Sequence, residues 1–229
     1  DKTLMKNIFL PFLIGFFLSL NVKGAYLLMP MDASQTNHLK AYGITYWALT
    51  KELPVDWLLN YRGGSFLVPH STLIQNECLI RNVSFEVISD AQVNQLFEEI
   101  ASPSSNMDVM KLEKHPKIAV YSPKSKQPWD DAVTMVLQYA EIPYEVVYDQ
   151  EVLEDKLLLY EWLHLHHEDF TGQYGKFYRN YKNAAWYINQ QKDAELRSLE
   201  LGFNKVSDLK LQVGKTIKEF IEMFQCVSK

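Results

Sequence analysis

The sequence predicts an α/β domain built on a mostly parallel sheet, and three observations carry that prediction. From residue 25 onward, short runs rich in Val, Ile, Leu and Tyr alternate with longer stretches of helical periodicity, as βα units do. Each run closes in a small group of polar or turn-forming residues, such as Asp32 after the first and Ser122-Pro123 after the fourth. Runs without polar interruption, such as Ile-Ala-Val-Tyr at 118–121, suit strands covered on both faces.

In chain order, the runs predict strands at 26–29, 55–60, 83–88, 117–121, 144–148 and 162–166. Helices are predicted between them at 38–51, 71–79, 91–100 and 129–141. In the second of these helices Leu73, Ile74, Cys78 and Leu79 recur at helical spacing. The last opens with Pro128 and the acids Asp130 and Asp131, a proline near the first turn and charges that complement the helix dipole. The connection 102–116 is long for such a domain and reads as a short helix at 108–113 or a flap. After residue 166 a polar, aromatic loop at 168–182 precedes two further helices at 184–201 and 206–224. Ser207-Asp208 forms a start signal for the second. There is no repeat and no low-complexity tract.

The chain has 229 residues, 47% hydrophobic and 22% charged, enough to bury a core as one large domain. Two cysteines, Cys78 and Cys226, exclude a disulfide scaffold and offer no C-x-x-C spacing. A net charge of -5 gives no general attraction for nucleic acid, so none is expected as a partner. Residues 1–24 read as upstream residues plus a signal peptide: Met5 is a natural start, Lys6 precedes an apolar run at 8–20, and Val22 and Gly24 are small residues for cleavage. The remaining 25–229 read as a single α/β domain, truncated at its carboxyl end, of an exported protein of the periplasm or cell envelope.

In open parallel sheets ligands bind outside the carboxyl ends of the strands, so the residues that follow each run are the candidates. Three of the six histidines fall within 164–167, before Glu168 and Asp169. His166, His167 and Glu168 are the candidate catalytic residues, with His167 as general acid/base and Glu168 as its orienter. Two same-face imidazoles beside a carboxylate also admit zinc, although no metal site is assigned and no cofactor is otherwise expected. The candidate ligand-binding residues are Asp32, Arg62, Gly63, Gly64, Ser122, Lys124 and Asp169. Arg62-Gly63-Gly64 combines a fixed cation with small residues that let backbone N–H groups approach an anion.

Several segments together resemble a family of exported bacterial proteins commonly labelled asparagine synthetase B, which has a domain similar to class I glutamine amidotransferases. They are Met-Pro-Met-Asp at 29–32, Asn-His-Leu-Lys-Ala-Tyr-Gly at 37–43, and Leu-Leu-Asn-Tyr-Arg-Gly-Gly-Ser at 58–65. Further along come Pro-Lys-Ile-Ala-Val-Tyr-Ser-Pro at 116–123, Pro-Trp-Asp-Asp-Ala-Val at 128–133 and Leu-His-Leu-His-His-Glu-Asp-Phe-Thr-Gly-Gln-Tyr-Gly at 163–175. The resemblance covers roughly 27–220. It implies a three-layer flavodoxin-like fold with extra C-terminal helices, and glutamine-dependent amide transfer or amide hydrolysis on a small amide or amino acid.

The chain carries neither an N-terminal nucleophilic cysteine nor a Ser-Gly-Gly-x-Asp-Ser loop, and Cys78 falls in a helical pattern rather than at a strand-to-helix elbow. Three readings therefore stand side by side. They are an amidotransferase-like enzyme whose nucleophile lies beyond residue 229, a non-catalytic ligand-binding protein of the cell envelope, and a metal-dependent hydrolase.

Overall fold

The computed structural model describes residues 25–123, 132–165 and 180–227. The first apolar run forms β1 (Tyr26–Met29), which leads through α1 (His38–Thr50) to β2 (Val55–Leu59). Helix α1 starts where Asn37 Oδ1 accepts the Lys40 N–H at 3.2 Å, satisfying one of the free amides of the first turn. β2 does not lead into a helix. Asn60, Arg62, Gly63 and Gly64 all adopt positive φ and turn the chain straight back into β3 (Ser65–Pro69), antiparallel to β2. Glycine is needed at 63, where φ is +82° and a Cβ would stand 2.4 Å from the Met31 carbonyl oxygen.

β3 lies between β1 and β2 and is antiparallel to both. The β1-α1-β2 unit thus keeps its two strands pointing the same way, with the hairpin filling the slot between them. α2 (Thr72–Ile80) follows, then β4 (Glu86–Ile88) antiparallel to β1, α3 (Asp90–Ile100), and β5 (Asp108–Leu112) antiparallel to β2. The resulting order is β4-β1-β3-β2-β5. Side chains alternate across this sheet. Leu27, Met29, Phe66 and Val68 meet Ala41, Ile44 and Ala48 of α1 and Ile74 and Cys78 of α2. Leu28, Leu58 and Leu67 meet Val93, Leu96 and Ile100 of α3.

A second sheet is built from β6 (Ile118–Tyr121), α4 (Ala132–Ala140), β7 (Glu145–Val147), α5 (Asp149–Leu153), a 3₁₀ turn (Lys156–Leu159) and β8 (Trp162–Leu165). Its order is β7-β6-β8, with both outer strands parallel to β6. α6 (Ala185–Glu200) and α7 (Val206–Val227) complete the described chain. Leu209, Val213, Ile217 and Phe220 form one stripe of α7 and cover Ala119, Tyr121 and Val147, beside Val152 of α5.

The flavodoxin-like, mostly parallel sheet expected from the sequence is therefore corrected. The larger sheet has five strands, all antiparallel to their neighbours, and parallel pairing is confined to the separate three-stranded sheet. The reason is covalent reach. Parallel neighbours need a crossover of about a dozen residues or more, whereas the chain between β2 and β3 is a tight turn. The 108–113 segment, expected as a short helix or flap, is β5, which adds a further antiparallel edge.

The two sheets meet through α1 and α4. Gly43 packs so tightly on α4 that a Cβ there would stand 1.9 Å from the Ala140 carbonyl oxygen. Around this contact, Asn37 Nδ2 donates to Tyr139 Oη at 2.8 Å, Lys40 Nζ reaches Glu141 Oε1 at 2.5 Å and Arg81 Nη1 lies 3.2 Å from Glu141 Oε2. Tyr46 Oη donates to the Pro116 carbonyl at 2.9 Å. Among the described residues no helix is long and apolar enough to cross a membrane.

Candidate functional site

β1 and β2 point the same way, so their carboxyl ends share an edge, and the structure brings Asp32, Arg62, Gly63 and Gly64 together there. Arg62 Nε donates to Asp32 Oδ2 at 2.7 Å, Nη1 to Glu86 Oε1 at 2.8 Å and Nη2 to Ser34 Oγ at 3.2 Å. Ser34 adds its backbone N–H and its hydroxyl to Asp32 Oδ1, at 2.9 and 2.5 Å. The turn is docked on the end of β1 by a 3.1 Å bond from the Met31 N–H to the Arg62 carbonyl. All three guanidinium nitrogens already have internal partners, so this edge is a closed ion-pair network.

The Arg62 hydrogen bond, followed by those from Ser34, holds the Asp32 carboxyl well below the usual carboxylate range. A carboxyl whose folded pKa is depressed stabilises the fold above its unfolded value near 3.9, and that contribution is lost as pH falls through the folded value. Wild type is therefore expected to lose stability more steeply than Arg62→Met below about pH 4. Urea midpoints measured through that range check this, and parallel slopes for the two proteins would contradict it.

The second edge lies at the carboxyl ends of the parallel strands. Tyr121 ends β6 and Asp149 opens α5 two residues after β7. Asp149 is completely buried. Tyr121 Oη donates to Asp149 Oδ1 at 2.5 Å. Lys210, carried in by α7 and 8% exposed, donates to Asp149 Oδ1 and Oδ2 at 3.0 and 3.2 Å, to Tyr121 Oη at 3.1 Å and to Tyr148 Oη at 3.4 Å. Arg197 of α6 places Nη1 3.7 Å from Asp149 Oδ2 and its guanidinium 4.7 Å from the centre of the Tyr148 ring. A buried carboxylate is tolerable only with counterions and hydrogen bonds of this kind. Next to Tyr121, Ser122 is 2% exposed; its N–H donates to the Val147 carbonyl at 3.0 Å, and its hydroxyl has no partner among the described residues.

The Asp32 and Ser122 groups belong to different edges. His38 Nε2 lies 3.1 Å from both the Met31 and Asp32 carbonyls, which ties Asp32 to the start of α1. That start packs on Tyr139 and Glu141, at the amino ends of the parallel strands. Ser122 and Asp149 follow the carboxyl ends. Lys124, His166, His167, Glu168 and Asp169 lie outside the described residues, and β8 ends at Leu165. Among the described residues no group of three or more His, Cys, Asp and Glu could hold a metal ion, and the histidine run that suggested zinc lies mostly outside them. Cys78 is fully buried on α2, and burial pushes its thiol up to about 12, so it is inert as a nucleophile.

Reading the sequence for strand ends finds Ser122 but not the Asp149 network, because two of its members come from helices distant in the chain. One signal was present. Lys210 stands at i, i+3 and i+7 with Val213 and Ile217, a lysine on the apolar face of a helix, where an unpaired charge is costly. Arg197, by contrast, is unremarkable in its local sequence. No family model, curated protein or solved structure matches the chain.

Proposed function

We propose that the chain is an exported, small-molecule-binding protein of the cell envelope that captures an amide- or amino-acid-like ligand at the carboxyl ends of β6 and β8. The observation that carries the proposal is the strand order β7-β6-β8. The first crossover, through α4, runs from β6 to β7 on one side; the second, through α5, returns from β7 past β6 to β8 on the other, so a switch point lies between β6 and β8. Ligands of open parallel sheets bind in the crevice outside such a point. Ser122, nearly buried and with no partner for its hydroxyl among the described residues, stands directly after β6. The ligand class comes from the family resemblance of the sequence.

Thermal unfolding with free amino acids and their amides, sugars and nucleotides tests the reading, alongside an ammonia-release assay with glutamine and asparagine. A ligand at ~100 times its Kd stabilises by about 2.7 kcal/mol, which raises the Tm of a domain of this size by roughly 5–10 °C. Stabilisation by an amino acid or amide without ammonia release is the expected result. No stabilisation by any member of the panel overturns the proposal, and ammonia release restores the amidotransferase reading.

A further inference from the structure

Within the Asp149 network the two cations are used differently. Lys210 has its ammonium directed at both oxygens of Asp149 and at the hydroxyls of Tyr121 and Tyr148, all within 3.4 Å. An ammonium has three N–H groups, so Lys210 has none to spare for a ligand, and it already balances the single charge of Asp149. Arg197 is the second cation facing that one carboxylate. Its nearest approach is 3.7 Å, beyond hydrogen-bond distance. No hydrogen bond from its guanidinium and no second acid within ion-pair distance exists among the described residues. The side chain is 28% exposed, and its guanidinium rests on the Tyr148 ring.

We infer that Arg197, which stands beside Asp149 and Tyr148 at the end of β7, is an anion-binding group of the same carboxyl-end edge and that it receives one carboxylate of the ligand. The inference rests on the ligand-binding role proposed above. A guanidinium held against an aromatic ring keeps its N–H edge free and loses little freedom on engaging a planar carboxylate through two parallel bonds. Lys210, locked to Asp149, acts as the internal counterion that leaves Arg197 available. The charge count among the described residues selects a carboxylate over a phosphate. Arg197 neutralises one negative charge, and the second charge of a phosphate would need another free cation, which Lys210 does not supply.

Calorimetric titration of the full chain with L-glutamine, L-asparagine, L-glutamate and L-aspartate tests this. L-glutaminol, which lacks the carboxylate, inorganic phosphate, glucose and ATP serve as comparison probes. At least one of the amino acids is expected to bind, with L-glutaminol at least tenfold weaker than L-glutamine if glutamine is the ligand. Arg197→Met, which keeps an apolar side chain against Tyr148, is expected to weaken binding roughly ten- to a hundredfold, the size of a lost charge-assisted hydrogen bond. Arg197→Lys is expected to recover part of the loss. Circular dichroism confirms that each variant is folded, and if Arg197→Met is not, the L-glutaminol comparison and Arg197→Lys decide.

Equal affinity in Arg197→Met, equal affinity for L-glutaminol, or a preference for phosphate overturns the inference and leaves the ligand-binding proposal standing. Binding of glucose or ATP alone overturns both the inference and the amide- or amino-acid-like ligand class proposed above. If none of the probes binds the wild-type chain, both fall together.

Discussion

Asp149→Ala is expected to lower the free energy of unfolding by roughly 3–5 kcal/mol, the range for breaking a buried ion pair from one side. The carboxylate is fully buried and accepts from Tyr121 and from Lys210. Its removal leaves the Lys210 ammonium, itself 8% exposed, without a counterion, and breaks the tie that holds α7 to the ends of β6 and β7. Urea denaturation of wild type and mutant measures the loss. The double replacement Asp149→Leu with Lys210→Met is expected to recover most of it, because an apolar pair of similar volume escapes the desolvation that a lone charge suffers. A single mutant within about 1 kcal/mol of wild type would place the pair in the class of solvated surface bridges and would sink the account of α7 docking.

Gly43→Ala is the second large effect. In most helices this change is favourable by up to ~1 kcal/mol, since alanine is the better helix former. Here the new methyl would stand 1.9 Å from the Ala140 carbonyl oxygen, a backbone atom that cannot rotate away, so α1 and α4 must separate. Overpacking of this kind costs about 1–3 kcal/mol and sometimes more, which outweighs the propensity gain. The Asn37–Tyr139 and Lys40–Glu141 contacts across the same seam should loosen with it. A thermal midpoint at or above wild type for Gly43→Ala would show that the two helices do not meet as described.

Much of the element content is legible in the sequence. The stretches read as strands at 26–29, 117–121 and 162–166 are β1, β6 and β8 to within a residue or so, and the helices near 38–51, 71–79 and 91–100 are α1, α2 and α3. Periodicity locates such segments because burying one face of an element imposes its own repeat. The two strands missed, β3 and β5, are what turned the larger sheet antiparallel. β3 was hidden because Arg-Gly-Gly at 62–64 suggested an anion-binding loop, although two glycines between apolar runs are equally a hairpin signal. β5, Asp-Val-Met-Lys-Leu, is an edge strand with three of its five residues exposed, so burial left little pattern to read.

The sites divide along the same line. Asp32 and Arg62 could be read as neighbours because each follows a strand of one βαβ unit, and the structure joins them, with Glu86 and Ser34 closing the network. Asp149, directly after an apolar run, was equally visible as a strand-end residue. Its partners were not, since Lys210 lies 61 positions away in the chain and Arg197 carries no local mark of its place beside Asp149.

By itself the sequence determined which segments become helices or strands and which polar residues stand at strand ends, because these follow from local sterics and the repeat of apolar side chains. Tertiary structure alone decided the order and direction of the strands. It also decided that Arg62 is hydrogen-bonded internally while Arg197, among the described residues, approaches its one acid only to 3.7 Å. Which strand neighbours which, and which charge finds a partner, depends on contacts between residues tens of positions apart, and no local pattern encodes those contacts.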